Sequence, residues 1–235
     1  MNNNILVNII DHYNYNNQKF ILKIKNKYNV EYLENITRHL SKYTLSNSIE
    51  NPTSNINNEY KYMVLDIETD AYFNILQVAY DIYNEKDKLI KEINILINDG
   101  IHYTPFYNTI TKEEIIKEGI TPKEASKIIT DDINRTKCII GHNIIAFDLK
   151  RINILNDKFG NKIKNDLEMK DTMLLSKNIV RSLNKNGQIK YSKLGEMADF
   201  LLKNTQIDNS KYHDAKYDIM ITYECYKILR DKYKL

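Results

Sequence analysis

The residues with the clearest chemical potential are acids. Asp66 and Glu68 stand in the run Val64-Leu65-Asp66-Ile67-Glu68-Thr69, at the end of an apolar stretch. Side chains along a strand alternate between faces, so two acids one residue apart point the same way. Carboxylates held side by side repel, and burying them without a counter-charge is expensive. A hard divalent cation resolves that conflict, and an all-oxygen ligand set favours magnesium or manganese over zinc. The same pair also fits a strand end that dips into solvent. A third acid, Asp148, follows the apolar run 137–141 and the segment Gly141-His142-Asn143, near the start of a helical pattern. An acid there is also simply favourable to the helix dipole. His213 and Asp218 bracket the start of the last helical pattern. A lone histidine at such a point is ordinarily a capping or surface residue, and Asp214 suits a helix cap.

The three segments together are more specific than any one of them. In order, Asp66-Ile67-Glu68-Thr69, His142-Asn143 through Phe147-Asp148, and His213-Asp214-Ala215-Lys216-Tyr217-Asp218 resemble the three exonuclease motifs of the DnaQ-like family, the DEDDh branch of the RNase H-like superfamily. The resemblance runs over residues 63–229. Glu118-Gly119-Ile120-Thr121, Lys170-Asp171-Thr172 and Tyr191-Ser192-Lys193-Leu194 resemble supporting segments of the same family. Two departures stand out: Asp70-Ala71 replaces the usual Thr-Gly after the first motif, and Glu118 replaces the usual histidine. Neither removes a metal ligand.

What the resemblance implies is a 3′–5′ exonuclease that hydrolyses nucleic acid to nucleoside 5′-monophosphates. Its cofactors are two divalent cations, Mg2+ or Mn2+, about 3.5–4 Å apart. Asp66, Glu68, Asp148 and Asp218 are the implied metal ligands, with Asp66 bridging both ions, and His213 the implied general base, a role suited to its pKa range. Thr69, Asn143 and His142 are the implied substrate contacts, and Phe147 reads as core. The implied partner is single-stranded or 3′-ended DNA or RNA. Two competing readings on the same fold are a catalytically silent nucleic-acid-binding or scaffold domain and a phosphohydrolase of small nucleotides.

Positioning these residues calls for a mixed sheet. Residues 62–66, 75–83 and 88–97 are rich in Val, Ile, Leu and Tyr and predict three strands with short connections, an antiparallel meander. Thr111 with Glu114, and Thr121-Pro122 with Glu124, predict two helix starts. Residues 137–141 predict a short buried strand, 144–159 a helix ended by Gly160, 170–175 a fifth strand, 192–203 an amphipathic helix and 214–233 a long final helix. This order predicts an α/β fold, a mixed five-stranded sheet flanked by helices, RNase H-like by the family resemblance, with a short N-terminal extension.

Composition excludes little. The chain has 235 residues, 42% hydrophobic, and a formal net charge of +3, which neither requires nor forbids a nucleic-acid partner. Cys138 and Cys225 lie in apolar runs and read as buried thiols. No run of residues is long and apolar enough for a membrane span or a signal peptide, so a soluble, intracellular protein is expected. The polar segment 50–59, with Pro52, reads as a linker. It divides an extension, 1–58, from a domain, 59–235. Within the extension, residues 20–28 alternate, 31–45 have helical spacing, and Lys19, Lys23, Lys25 and Lys27 offer either a phosphate-binding face or, more simply, a solvated one. The extension is also a candidate surface for a protein partner. Lys177, Arg181, Lys185, Lys190 and Lys193 flank a tight-turn signal at Asn186-Gly187 and admit the same two readings.

Overall fold

A computed structural model of the protein describes residues 60–100, 110–203 and 207–235. The extension's alternating and helical segments, its four lysines and the 50–59 linker lie outside the described residues. Five strands form one sheet in the order β3-β2-β1-β4-β5. They are β1 (Tyr62–Thr69), β2 (Ile75–Tyr83), β3 (Leu89–Leu96), β4 (Cys138–Gly141) and β5 (Glu168–Asp171). The first three pair antiparallel as the meander, and β4 and β5 add in parallel on the other side of β1. Among the described residues six α-helices accompany them: α1 (Lys112–Glu118), α2 (Pro122–Arg135), α3 (Asp148–Asp157), α4 (Thr172–Val180), α5 (Leu194–Leu201) and α6 (Ala215–Tyr233).

The central strand sorts its side chains between two cores, as a period of two requires. Met63, Leu65 and Ile67 face α2 and α3, packing with Ile129, Ile133, Leu149 and Ile152. Tyr62 and Val64 face the other way, against Ala215, Ile219 and Tyr226 of α6. Asp66 and Glu68 continue the series on the α6 side, where the apolar face of the strand ends. Both expected capping boxes are present, Thr111 with Glu114 and Thr121 with Glu124. Cys138 and Cys225 are buried and unbridged, and burial pushes both thiols up to about 12.

Two elements differ from the sequence reading. The fifth strand is Glu168–Asp171, earlier than 170–175, and Thr172 already opens α4. Asp171 forces the change: its carboxylate accepts the Met173 N–H at 3.0 Å, an N-cap that starts a helix where apolar spacing suggested more strand. The helix expected over 144–159 begins only at Asp148, because Asn143 takes a left-handed conformation (φ +65°) and 144–147 form turns. It also ends early, at Asp157, and turns carry the chain on to Gly160, whose φ is +72°.

Candidate active site

The site lies at the carboxyl ends of β1 and β4, the edge where open α/β sheets form crevices. The paired stretch of β1 and β4 covers Tyr62 to Val64 only, so β1 outruns its neighbour. Past that point the Ile67 N–H donates to Asp148 Oδ1 at 3.1 Å, which joins the second acidic segment to the first. The chain crosses from β4 to α3 in a very tight bend. A side chain at Gly141 would place its Cβ 2.6 Å from Ile144 Cδ1 and 2.8 Å from the Leu65 carbonyl, so only glycine fits. The bend is gripped by Asp171, whose carboxylate accepts from Asn143 N at 2.9 Å and Ile145 N at 3.4 Å.

The third acidic segment arrives with α6. Asp214 caps that helix, accepting the Lys216 N–H at 3.0 Å, and Asp218 sits one turn in. His213, with φ +71°, occupies the left-handed region just before the cap. Its own N–H donates to Asp218 Oδ2 at 3.2 Å. Ala215 N–H reaches Gln77 on β2 at 3.3 Å, and Ala215 and Ile219 pack under the sheet, fixing α6 against β1.

These supports bring the acids together. Glu68, His213 and Asp218 each present a ligand atom, and the three atoms lie within 4.8 Å of one another. Asp66, at the end of β1, is half-buried. Burial pushes its carboxyl well above the usual range, and the charges of Asp148, Asp218, Glu68 and Asp214 push it further. Burial likewise raises Asp148, against the pull of its backbone hydrogen bonds and with a contribution from Asp171. Asp218 is pushed up to about 7 by burial, with Asp214 adding to the rise and the His213 N–H opposing it. Asp218 Oδ1 is buried and, among the described residues, has no hydrogen-bond partner. Buried carboxylates of one sign with an orphaned oxygen suit a cation far better than they suit each other. The donor set therefore fits a divalent metal.

The other sequence candidates divide. Thr69 ends β1 beside Glu68 and is half-buried. Asn143 lies at the bend, half-buried. His142 does not offer its ring to a substrate. Nε2 donates to the Ser192 carbonyl at 2.9 Å and Nδ1 lies 3.1 Å from Thr172 Oγ1, so both ring nitrogens are used inside the protein. Burial lowers its pKa, and its contacts tie the bend to α4 and to the segment just before α5. Phe147 packs partly on the core, as expected, but its edge also meets the Phe73 ring, the centroids 6.1 Å apart. The Asp70 departure is a local device: its carboxylate gathers the N–H groups of Tyr72 and Asn74, both at 2.8 Å, into a tight loop. Of the lysines around Gly187, Lys190 is paired with Glu196 at 2.6 Å and Lys177 lies over the Tyr191 ring, which favours the surface reading for those two.

Sequence reasoning gave Asp171 no role. Its signal was present, an acid opening Asp-Thr before an apolar run, but helix capping and grip on a distant bend look alike in one dimension.

No family model matches the chain, and no curated protein sequence matches it. Solved structures do. A crystal structure of E. coli exonuclease I in complex with a dA16 oligonucleotide superposes with a TM-score of 0.58 at 18% identity, covering 72% of this chain and 40% of that one. A zinc-bound form of an E. coli exonuclease I–single-stranded DNA complex gives 0.57 at 17% identity, covering 74% and 41%. A third E. coli exonuclease I structure gives 0.57 at 18% identity with 72% and 40% coverage. The chain thus spans about two fifths of the length of these neighbours. At this identity the likeness is one of fold: the mixed five-stranded sheet with flanking helices is the RNase H-like fold that the exonuclease I chains share.

Proposed function

We propose that this domain is a metal-dependent 3′–5′ exonuclease of the DEDDh type, releasing nucleoside 5′-monophosphates from single-stranded or 3′-ended nucleic acid. The observation that carries the proposal is the convergence of Asp66, Glu68, Asp148 and Asp218 with His213 on one site, the carboxyls of Asp66, Asp148 and Asp218 held above the ordinary range. Asp66, Glu68 and Asp218 would hold one cation, and Asp148 would help hold a second. Such cations would neutralise the cluster and supply Lewis-acid chemistry for water activation and for the departing 3′ oxygen. Magnesium or manganese suits the carboxylate oxygens, although the trio with His213 offers a nitrogen that zinc also accepts.

His213 is the general base. It is exposed, with a ring nitrogen within 4.8 Å of the Glu68 and Asp218 carboxylates. It accepts a proton from the attacking water, whose oxygen bonds to phosphorus as the bond to the 3′ oxygen breaks. Thr69 and Asn143 border the crevice and contact the terminal nucleotide. That neighbours of the same fold are seen with single-stranded DNA makes a single DNA strand the first substrate to try.

The test is a 5′-labelled single-stranded oligonucleotide incubated with Mg2+, Mn2+ or EDTA, run beside its RNA counterpart. Metal-dependent shortening from the 3′ end, with mononucleotide release, is expected. Strand binding without shortening would place the domain among silent scaffolds. Hydrolysis of a free nucleotide ester but not of the strand would make it a small-nucleotide phosphohydrolase.

A further inference from the structure

Arg151 lies on α3 three residues beyond Asp148, so the two share a helix face beside the crevice. Its guanidinium is stacked over Phe73, 4.4 Å from the ring centroid, and near Phe147 at 5.6 Å. Among the described residues it has no ion pair and no side-chain hydrogen bond, and its Nε is buried without a partner. A half-buried arginine normally finds a carboxylate, since burying an unsatisfied cationic donor is costly. Here the guanidinium is held by two π faces instead.

The loop that supplies one of those faces is strained. Phe73 has φ +65°, a region that bulky residues avoid, and it stays half-exposed. The strain is imposed by the Asp70 carboxylate and by backbone hydrogen bonds between Asp70 and both Phe73 and Asn74. An outlier held this firmly beside a pocket is a reason to look for a ligand.

We propose that Arg151 is a phosphate-binding residue that grips one internucleotide phosphate of the bound strand, with Phe73 and Phe147 orienting its planar fork. The proposal rests on the nuclease reading of the neighbouring crevice. A guanidinium fork matches phosphate oxygens in bidentate fashion, and stacking leaves its outer edge for that contact. Arg151 thereby places positive charge next to an acidic site that must admit a polyanion.

The test is equilibrium binding of a fluorescent oligothymidylate by the full chain, with Ca2+ in place of Mg2+, across a salt series. Arg151→Ala is expected to weaken binding about tenfold or more, the scale of a charge-assisted hydrogen bond, and to flatten the salt dependence by about 0.7 in logarithmic slope. Arg151→Lys keeps the slope and recovers only part of the affinity. Phe73→Ala, which leaves the charge but frees it, weakens binding with an unchanged slope. A single methylphosphonate near the 3′ end lowers wild-type affinity and leaves Arg151→Ala unaffected. Equal affinity and slope in Arg151→Ala and wild type, or no strand binding by wild type, overturns the proposal. Failure of the nuclease reading is seen separately, as absent mononucleotide release in manganese, with the binding comparison still decisive.

Discussion

Replacing Asp218 by asparagine should make the metal-free protein more stable at alkaline pH. Asp218 has a carboxyl pushed from an ordinary 3.8 to about 7, chiefly by burial, and one of its oxygens is buried without a partner among the described residues. The folded state thus holds a proton on Asp218 through a pH range in which the unfolded chain has lost it. Stability from this group rises as pH falls from about 7 toward 4, and the full penalty of the ionised form is present above 7. The gap is about three decades, each worth roughly 1.4 kcal/mol, so the ceiling is about 4 kcal/mol. Water in the crevice and relaxation of the variant reduce this, and about 2 kcal/mol is the expected gain. Asparagine keeps an oxygen for the His213 N–H at the Oδ2 position and turns an N–H donor toward the remaining carboxylates. For a domain of this size, 2 kcal/mol corresponds to roughly 4–8 °C in Tm. The assay is thermal unfolding of both proteins in EDTA at pH 8, 6 and 4. The variant's advantage should be greatest at pH 8 and gone by pH 4, while added Mn2+ raises the wild-type Tm and moves the variant much less. A variant no more stable than wild type at pH 8, or an advantage that persists on acidification, refutes the reasoning.

His213→Ala should lower kcat on a 3′-ended strand by about two to four orders of magnitude with the fold intact, and near-wild-type turnover would assign the base elsewhere. Asp66→Ala should abolish release of mononucleotides while leaving a folded protein, judged by circular dichroism beside the activity assay. Asp171→Ala removes the acceptor of three backbone N–H groups and should cost about 2–4 kcal/mol in urea denaturation; a loss under 0.5 kcal/mol would mean the bend holds itself. Gly141→Ala should cost about 1–3 kcal/mol in the same assay, because the added Cβ meets Ile144 and the Leu65 carbonyl.

Local chemistry in the chain was enough for much of the architecture. The alternation of residues 62–68 put Asp66 and Glu68 on one face, the two Thr-Glu capping boxes fixed where α1 and α2 begin, and Asp214 ahead of Ala215 marked the start of α6. Such signals act over three or four residues, within the reach of hydrogen bonds that the sequence writes out directly. Tertiary structure decided everything that joins distant segments. Only the premature end of the β1–β4 pairing explains why Ile67 donates to Asp148, 81 residues away, and only packing shows His142 turned inward to Thr172 and Ser192. The carboxyl shifts belong to the same class, since they follow from burial and from acids that meet only in the folded chain. Arg151 carries no sequence mark at all, because what distinguishes it is the company of Phe73 and Phe147 and, among the described residues, the lack of an ion pair.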